Sequence, residues 1–232
     1  MRAGRGRAPA LAGALVALLA GATAALAVAA AGRNGPARAG DPSPPAREAV
    51  ARAEALLAAG KTREGIALLR EAAAQHPKDA TVHFTLGTAL LRTRDYDGAI
   101  AALRAGLALA PANLLARRAL AAAQRGKGDL EGARATLEAL WREAPSFRPA
   151  AEDLAEVLAA QGDRRGAIEI YRHVVATYGP AEDARLAALQ ARLGRILEAD
   201  GDAPAALAAY REALRIDPQN APARAALRRL SK

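Results

Sequence analysis

The side chains best able to do chemistry are few and scattered. The histidines are His76, His83 and His173, and the chain has no cysteine. That excludes a thiol nucleophile, thiolate metal sites and disulfides. A histidine works as a general base only when a nucleophile or carboxylate lies within reach. None of the three stands in an HExxH, GxSxG or P-loop context, the spacings that bring a metal, a serine or a phosphate together with its partners. His76 precedes Pro77 and can meet the last free carbonyls of a helix. Asp95 and Asp97 read as helix-start residues rather than as a catalytic carboxylate pair. Residues 162–166, GDRRG, lack the Lys-Ser/Thr of a phosphate loop. No nucleophile, acid–base pair or ligand set assembles, so the sequence predicts no catalytic residue, no cofactor and no metal site.

Net charge is +9 and the pI near 10.7, values that invite a nucleic-acid reading. Arg2, Arg5 and Arg7 supply three of those charges at the extreme N-terminus. Most other arginines sit beside acids, as in Arg63-Glu64 and Arg211-Glu212. A basic binding tail needs five or six like charges in a block, and none is present. The densest run, Arg224, Arg228, Arg229 and Lys232, suits the end of a terminal helix, where cations complement the dipole. No nucleic-acid partner is expected.

The three leading arginines precede an uncharged run, Ala8 to Gly32, ended by Arg33. A charged start followed by an apolar stretch is an export signal, and about 20 apolar residues also span a bilayer. Ala25-Leu26-Ala27 and Ala27-Val28-Ala29 offer small-residue cleavage sites, and Leu11 to Leu19 has the length of a signal core. The run as a whole exceeds that length, which tips the reading toward an uncleaved anchor. Residues 1–32 are thus expected to contact a membrane as signal peptide or signal anchor. The rest is expected outside the cytoplasm, held at a cell inner membrane or cleaved and soluble in the periplasm or medium. Residues 33–45, RNGPARAGDPSPP, read as a proline-stiffened linker.

What would position any site is an internal repeat. Apolar residues make up 52% of the chain and aromatics only 3%. Ala, Leu and Arg, all good helix formers, dominate, so the expected class is all-α. Gly65, Ala99, Ala133 and Ala167 recur every 34 residues, and Ala206 follows after 39. Pro77, Pro111 and Pro145 keep the same step, and Pro218 lies two steps plus five beyond. One five-residue insertion, EDARL at 182–186, reconciles both series. The units are 46–79, 80–113, 114–147, 148–181 and 187–220, with 221–232 as a C-terminal capping helix. The insertion predicts a first helix in the fifth unit longer by about one and a half turns.

Within the units, the eighth place holds Ala53, Gly87, Ala121, Ala155 and Gly194, small residues that let two helices approach closely. The twenty-fourth holds Leu69, Leu103, Leu137, Tyr171 and Tyr210, knobs from the second helix. Gly128-Asp129, Gly162-Asp163 and Gly201-Asp202 close one helix and cap the next.

This pattern resembles the tetratricopeptide repeat family, a 34-residue helix-turn-helix with small, Leu, Ala and Pro residues at these places. The likeness spans residues 46–220. It departs at Arg52, which replaces a buried Leu and suits a capping repeat, at Gln124 and Leu140 in the third unit, and at Gly179-Pro180 in the fourth. The resemblance implies a right-handed α-solenoid of five hairpins plus a C-terminal capping helix, preceded by an N-terminal hydrophobic helix.

In such arrays the first helix of each unit lines a concave groove. The resemblance places Phe84, Thr88, Leu91 and Arg92 of the second unit in it, with Arg118 and Arg125 of the third and Glu152 and Glu156 of the fourth. Phe84 would be an exposed apolar anchor. Arg92, Arg118 and Arg125 would form a basic strip for a partner's carboxylate. The asparagines of the chaperone-clamping subclass are missing from these places, since Asn34, Asn113 and Asn220 lie elsewhere. The implied function is a non-catalytic scaffold at the outer face of a bacterial membrane, binding protein or peptide segments. Membrane-anchored arrays of similar layout also serve cytochrome c maturation or cell-envelope assembly, holding a client's C-terminal segment.

Overall fold

A computed structural model describes residues 43–179 and 183–230, all within one compact unit. These residues form eleven helices and no strand. The first hairpin is α1 (Pro44–Ala58) with α2 (Thr62–Gln75), and the second α3 (Ala80–Arg92) with α4 (Tyr96–Leu109). The third is α5 (Leu114–Lys127) with α6 (Leu130–Glu143), and the fourth α7 (Arg148–Ala160) with α8 (Arg164–Ala176). The fifth is α9 (Asp183–Asp200) with α10 (Ala203–Ile216), and α11 (Ala221–Leu230) closes the series. Each helix packs on the next in sequence. The apolar run at 8–32 lies outside the described residues. Among those residues, no helix is long and apolar enough to cross a membrane.

The turns explain why the hairpins form. At the same place in each unit the chain enters the left-handed region, with φ of 78° at Gly60, 92° at Gly128, 87° at Gly162 and 91° at Gly201. Glycine does this without steric cost. In the second unit the residue is Arg94, at φ 63°. The aspartates that follow cap the second helices: Asp95 accepts from Gly98 N at 3.0 Å, Asp129 from Gly132 N at 2.8 Å and Asp163 from Gly166 N at 2.9 Å. First helices are capped too, α3 by Asp79, α5 by Asn113 and α11 by Asn220. Helix α1 starts at Pro44, two residues before the expected start of the first unit at 46. Ser43 caps it and the prolines fill its first turn, where a missing N–H leaves nothing unpaired.

Helix α9 runs for 18 residues, while α1 to α8 and α10 have 13 to 15. The five-residue insertion thus extends a helix, as expected. Close approach occurs where the eighth place is glycine. A Cβ on Gly87 would stand 2.6 Å from Leu103 Cγ, and one on Gly194 2.8 Å from the Tyr210 ring. The core falls into two clusters that divide along α5. Leu120 and Ala123 join Leu69, Val82, Leu90 and Leu103, whereas Ala121 joins Leu137, Leu140, Leu154, Tyr171 and Tyr210. At the divide lies Gln124, almost fully buried, whose Oε1 accepts from Thr136 at 2.8 Å.

Candidate functional site

The eight residues expected to line a groove all stand on the first helices α3, α5 and α7. Spacing between first helices changes along the array. Helices α1, α3 and α5 contact one another in turn, whereas α5 with α7, and α7 with α9, make no comparable contact. Long charged side chains cross those two wider gaps.

On α3, Phe84 is half-buried and turns its ring onto Gly106 of α4. The missing side chain of Gly106 makes room for the ring, so Phe84 contributes to hairpin packing and does not stand free as an anchor. Leu91 is half-buried against the N-terminal cluster. Thr88 is exposed, its hydroxyl donating to the Thr85 carbonyl at 3.0 Å. Arg92 and Arg125 are exposed. Neither makes an ion pair or hydrogen bond among the described residues.

Arg118 differs from those two. Its Nε donates to Asp153 Oδ2 at 2.5 Å and its Nη2 to Oδ1 at 3.4 Å, across the α5–α7 gap. The three arginines are therefore not equivalent members of one basic strip, because the charge of Arg118 is already matched.

Glu152 and Glu156 are brought together in the next gap. Glu152 is buried and accepts from the Tyr178 hydroxyl at 2.8 Å. Glu156 accepts from the Tyr171 hydroxyl at 2.7 Å and from Arg195 Nη2 at 3.0 and 3.1 Å. Arg192 bridges the two, 3.6 Å from Glu152 and 4.0 Å from Glu156. Burial works against the charge of Glu156, but Tyr171, Arg195 and Arg192 outweigh it and hold its carboxyl below the usual range. Burial, and then the hydrogen bond to Glu156, push the Tyr171 phenol up. The same two causes, with Glu152 as acceptor, push Tyr178 up to about 12. A third tie follows, in which Glu198 of α9 accepts from the Tyr210 hydroxyl at 3.0 Å and from Arg229 of α11 at 2.6 and 2.7 Å. Burial first, and Glu198 second, take Tyr210 up to about 12.

Sequence reading missed Asp153, Arg192 and Tyr178 as partners of these groups. One signal was available. A phenol stands at the twenty-fourth place of the last two units where the others have leucine, and a buried phenol needs an acceptor. The arrangement leaves cation and hydroxyl exposed on α3 and α5, and charge internally satisfied on α7 and α9.

Residues 50–113, 90–154 and 147–219 each match a tetratricopeptide repeat family model. No curated protein matches the chain significantly. Among solved structures, MamA from Desulfovibrio magneticus RS-1 is 19% identical, with a TM-score of 0.66 over 77% of this chain and 98% of its own. YrrB, described as a TPR protein with an unusual peptide-binding site, is 16% identical, with a TM-score of 0.63 over 78% of this chain and 90% of its own. A thermophilic TPR protein of Thermus thermophilus is 22% identical, with a TM-score of 0.56 over 80% and 98%. At these identities the likeness to solved structures is one of fold. With the three matches running unbroken from residue 50 to residue 219, the chain belongs to the tetratricopeptide repeat family.

Proposed function

We propose that the chain is a non-catalytic scaffold that holds a segment of a partner protein on the first helices of its repeats. The observation that carries this reading is the exposed polar surface of Thr88, Arg92 and Arg125 on adjacent first helices, whose two arginines have no partner among the described residues. Exposed cations on a rigid helical array suit an extended chain, because the array is already ordered and only the ligand loses freedom. The peptide-binding site named for YrrB agrees with that reading. A photo-crosslinker at Thr88, with one at exposed Arg172 on α8 as control, tests it. The expected result is a partner crosslinked from position 88 alone, at a segment that competes when supplied as a synthetic peptide. Equal labelling from both positions, or failure of the peptide to compete, rejects the reading.

We further propose an extracytoplasmic location, at the outer face of an inner membrane. The charged start and the uncharged run Ala8 to Gly32 support it through the export signal they spell. Membrane fractionation decides the form. Retention of the chain after carbonate extraction is expected for an anchor, and a soluble product starting near Val28 or Ala30 identifies cleavage.

A further inference from the structure

The two wide gaps between first helices are built alike but charged differently. In the α7–α9 gap, two carboxylates, Glu152 and Glu156, meet two guanidinium groups, Arg192 and Arg195. In the α5–α7 gap, Arg118 and Arg125 stand with one carboxylate, Asp153. Arg118 is bound to it. Arg125 lines the same cleft as Asp153, beside Ala121, Ala122, Leu137 and Val157, and has no partner among the described residues.

The repeat register shows what this cleft lacks. Ala122 holds the ninth place of its unit, where the next unit has Glu156. Leu137 holds the twenty-fourth place, where the next unit has Tyr171. The α5–α7 cleft therefore lacks the carboxylate and the hydroxyl that its neighbour provides for itself, and keeps a free cation.

We propose that the rim of the α5–α7 cleft binds a carboxylate of an acidic peptide segment through Arg125 and Arg118, with Asp153 as a built-in competitor for Arg118. Asp153 holds Arg118 in the structure, and the ligand exchanges with it. A strongly acidic segment wins that exchange where a neutral one does not, so Asp153 sets a threshold of charge for entry. This rests on the groove reading above and names the chemistry of its occupant.

The test uses the full chain in a neutral detergent and a rhodamine-labelled hexaglutamate peptide, followed by fluorescence anisotropy at low salt. Asp153→Asn is expected to tighten binding at least about fivefold, since that is the upper end for an exposed ion pair and Asp153 is half-buried. Glu169→Gln, an equal change of net charge on exposed α8, is expected to change it less than about twofold. Adding Arg125→Gln to Asp153→Asn removes the gain. Ala122→Glu, which supplies the carboxylate of the following unit, abolishes binding even if Asp153→Asn folds poorly.

No gain with Asp153→Asn in a normally folded protein overturns the proposal, as does a gain matched by Glu169→Gln or retained without Arg125. Unchanged binding in Ala122→Glu does the same. An equal gain for a rhodamine-labelled single-stranded oligonucleotide overturns the peptide assignment. Failure of the peptide to bind while position 88 still crosslinks a competing segment overturns this inference and leaves the scaffold. Loss of position-specific crosslinking with the Asp153 effect intact removes the scaffold reading instead.

Discussion

In the first three repeats the knob between helices is Leu69, Leu103 or Leu137, each sealed from solvent; in the last two it is Tyr171 or Tyr210, equally sealed. The leucines need nothing but close packing, and the first helices beside them, α1, α3 and α5, contact one another directly. The tyrosines bring a hydroxyl that must be satisfied, and each donates to a carboxylate that also binds an arginine further along the array, Arg195 of the fifth repeat or Arg229 of the capping helix. Ion pairs between helices follow the same division. The acids paired with Arg70 and Lys127 are 43% and 79% exposed. Glu152, Glu156 and Glu198 are 10%, 26% and 25% exposed. Exposed pairs contribute little to stability, whereas a sheltered carboxylate that loses its donors is costly. The N-terminal half is thus held by contact alone, and the C-terminal half by contact plus a directional polar lattice. A lattice fixes the geometry of its own helices but leaves little charge for a partner, which is why the recognition surface proposed above lies on α3 and α5.

The largest effect expected is from Leu103→Ala, at about 3 kcal/mol, since it empties a fully packed site. Tyr171→Phe keeps the ring and deletes the hydroxyl that Glu156 uses, for about 1–2 kcal/mol. Urea unfolding followed by circular dichroism measures both. Trp141, on α6 of the third repeat and against His173 of α8 with ring centroids 5.6 Å apart, packs on the C-terminal core cluster and reports on it. Repeat arrays couple mainly through neighbouring interfaces. Tyr171→Phe is therefore expected to shift the Trp141 transition, and Leu103→Ala chiefly the dichroism. Coincident transitions in both variants would abolish the distinction between halves.

Much of this architecture was legible because the repeat has local causes. The 34-residue step, the Gly-Asp turns and the long α9 follow from residues near one another in sequence, where capping and turn rules act. The partners within the groove did not follow from such rules. Arg118 finds Asp153 and Glu156 finds Arg195 across 35 and 39 residues. Arg118 and Arg125 look alike in sequence, and only the carboxylate opposite Arg118 separates them. Phe84 stands at a groove place, yet Gly106, in another helix, decides which way its ring turns. Positions on helices were readable; pairings between helices depended on the gap widths.

Acid should separate the halves without any mutation. The carboxyl of Glu156 lies below its usual value of 4.5 in the fold. A depressed carboxylate contributes stability that is present above its unfolded pKa and lost as pH falls through the folded one. The Trp141 transition should therefore weaken below about pH 4.5, and Glu156→Gln should flatten that limb. At the alkaline end the sign reverses. Tyr178 and Tyr210 are raised from 10.0 to about 12, so their contribution is complete below pH 10 and lost as pH climbs toward 12. Tyr210→Phe should reduce that alkaline loss. Acid limbs of equal slope in Glu156→Gln and in the unaltered protein would show that the polar lattice does not govern this half.

The smallest effect lies in the other half, at Arg94. Four units turn on a left-handed glycine, and the second turns on arginine at φ 63°. That conformation costs an L-residue about 1–2 kcal/mol, and glycine's greater freedom in the unfolded chain returns about 0.5–1 kcal/mol of it. Arg94→Gly should therefore stabilise the protein by about 0.5 kcal/mol. The gain should appear in the dichroism and leave the Trp141 transition in place, since α3 and α4 belong to the N-terminal cluster. A matching rise at Trp141 would mean that the buried Gln124 and the divided core at α5 do not interrupt cooperativity. The two halves would then differ in chemistry but unfold as one.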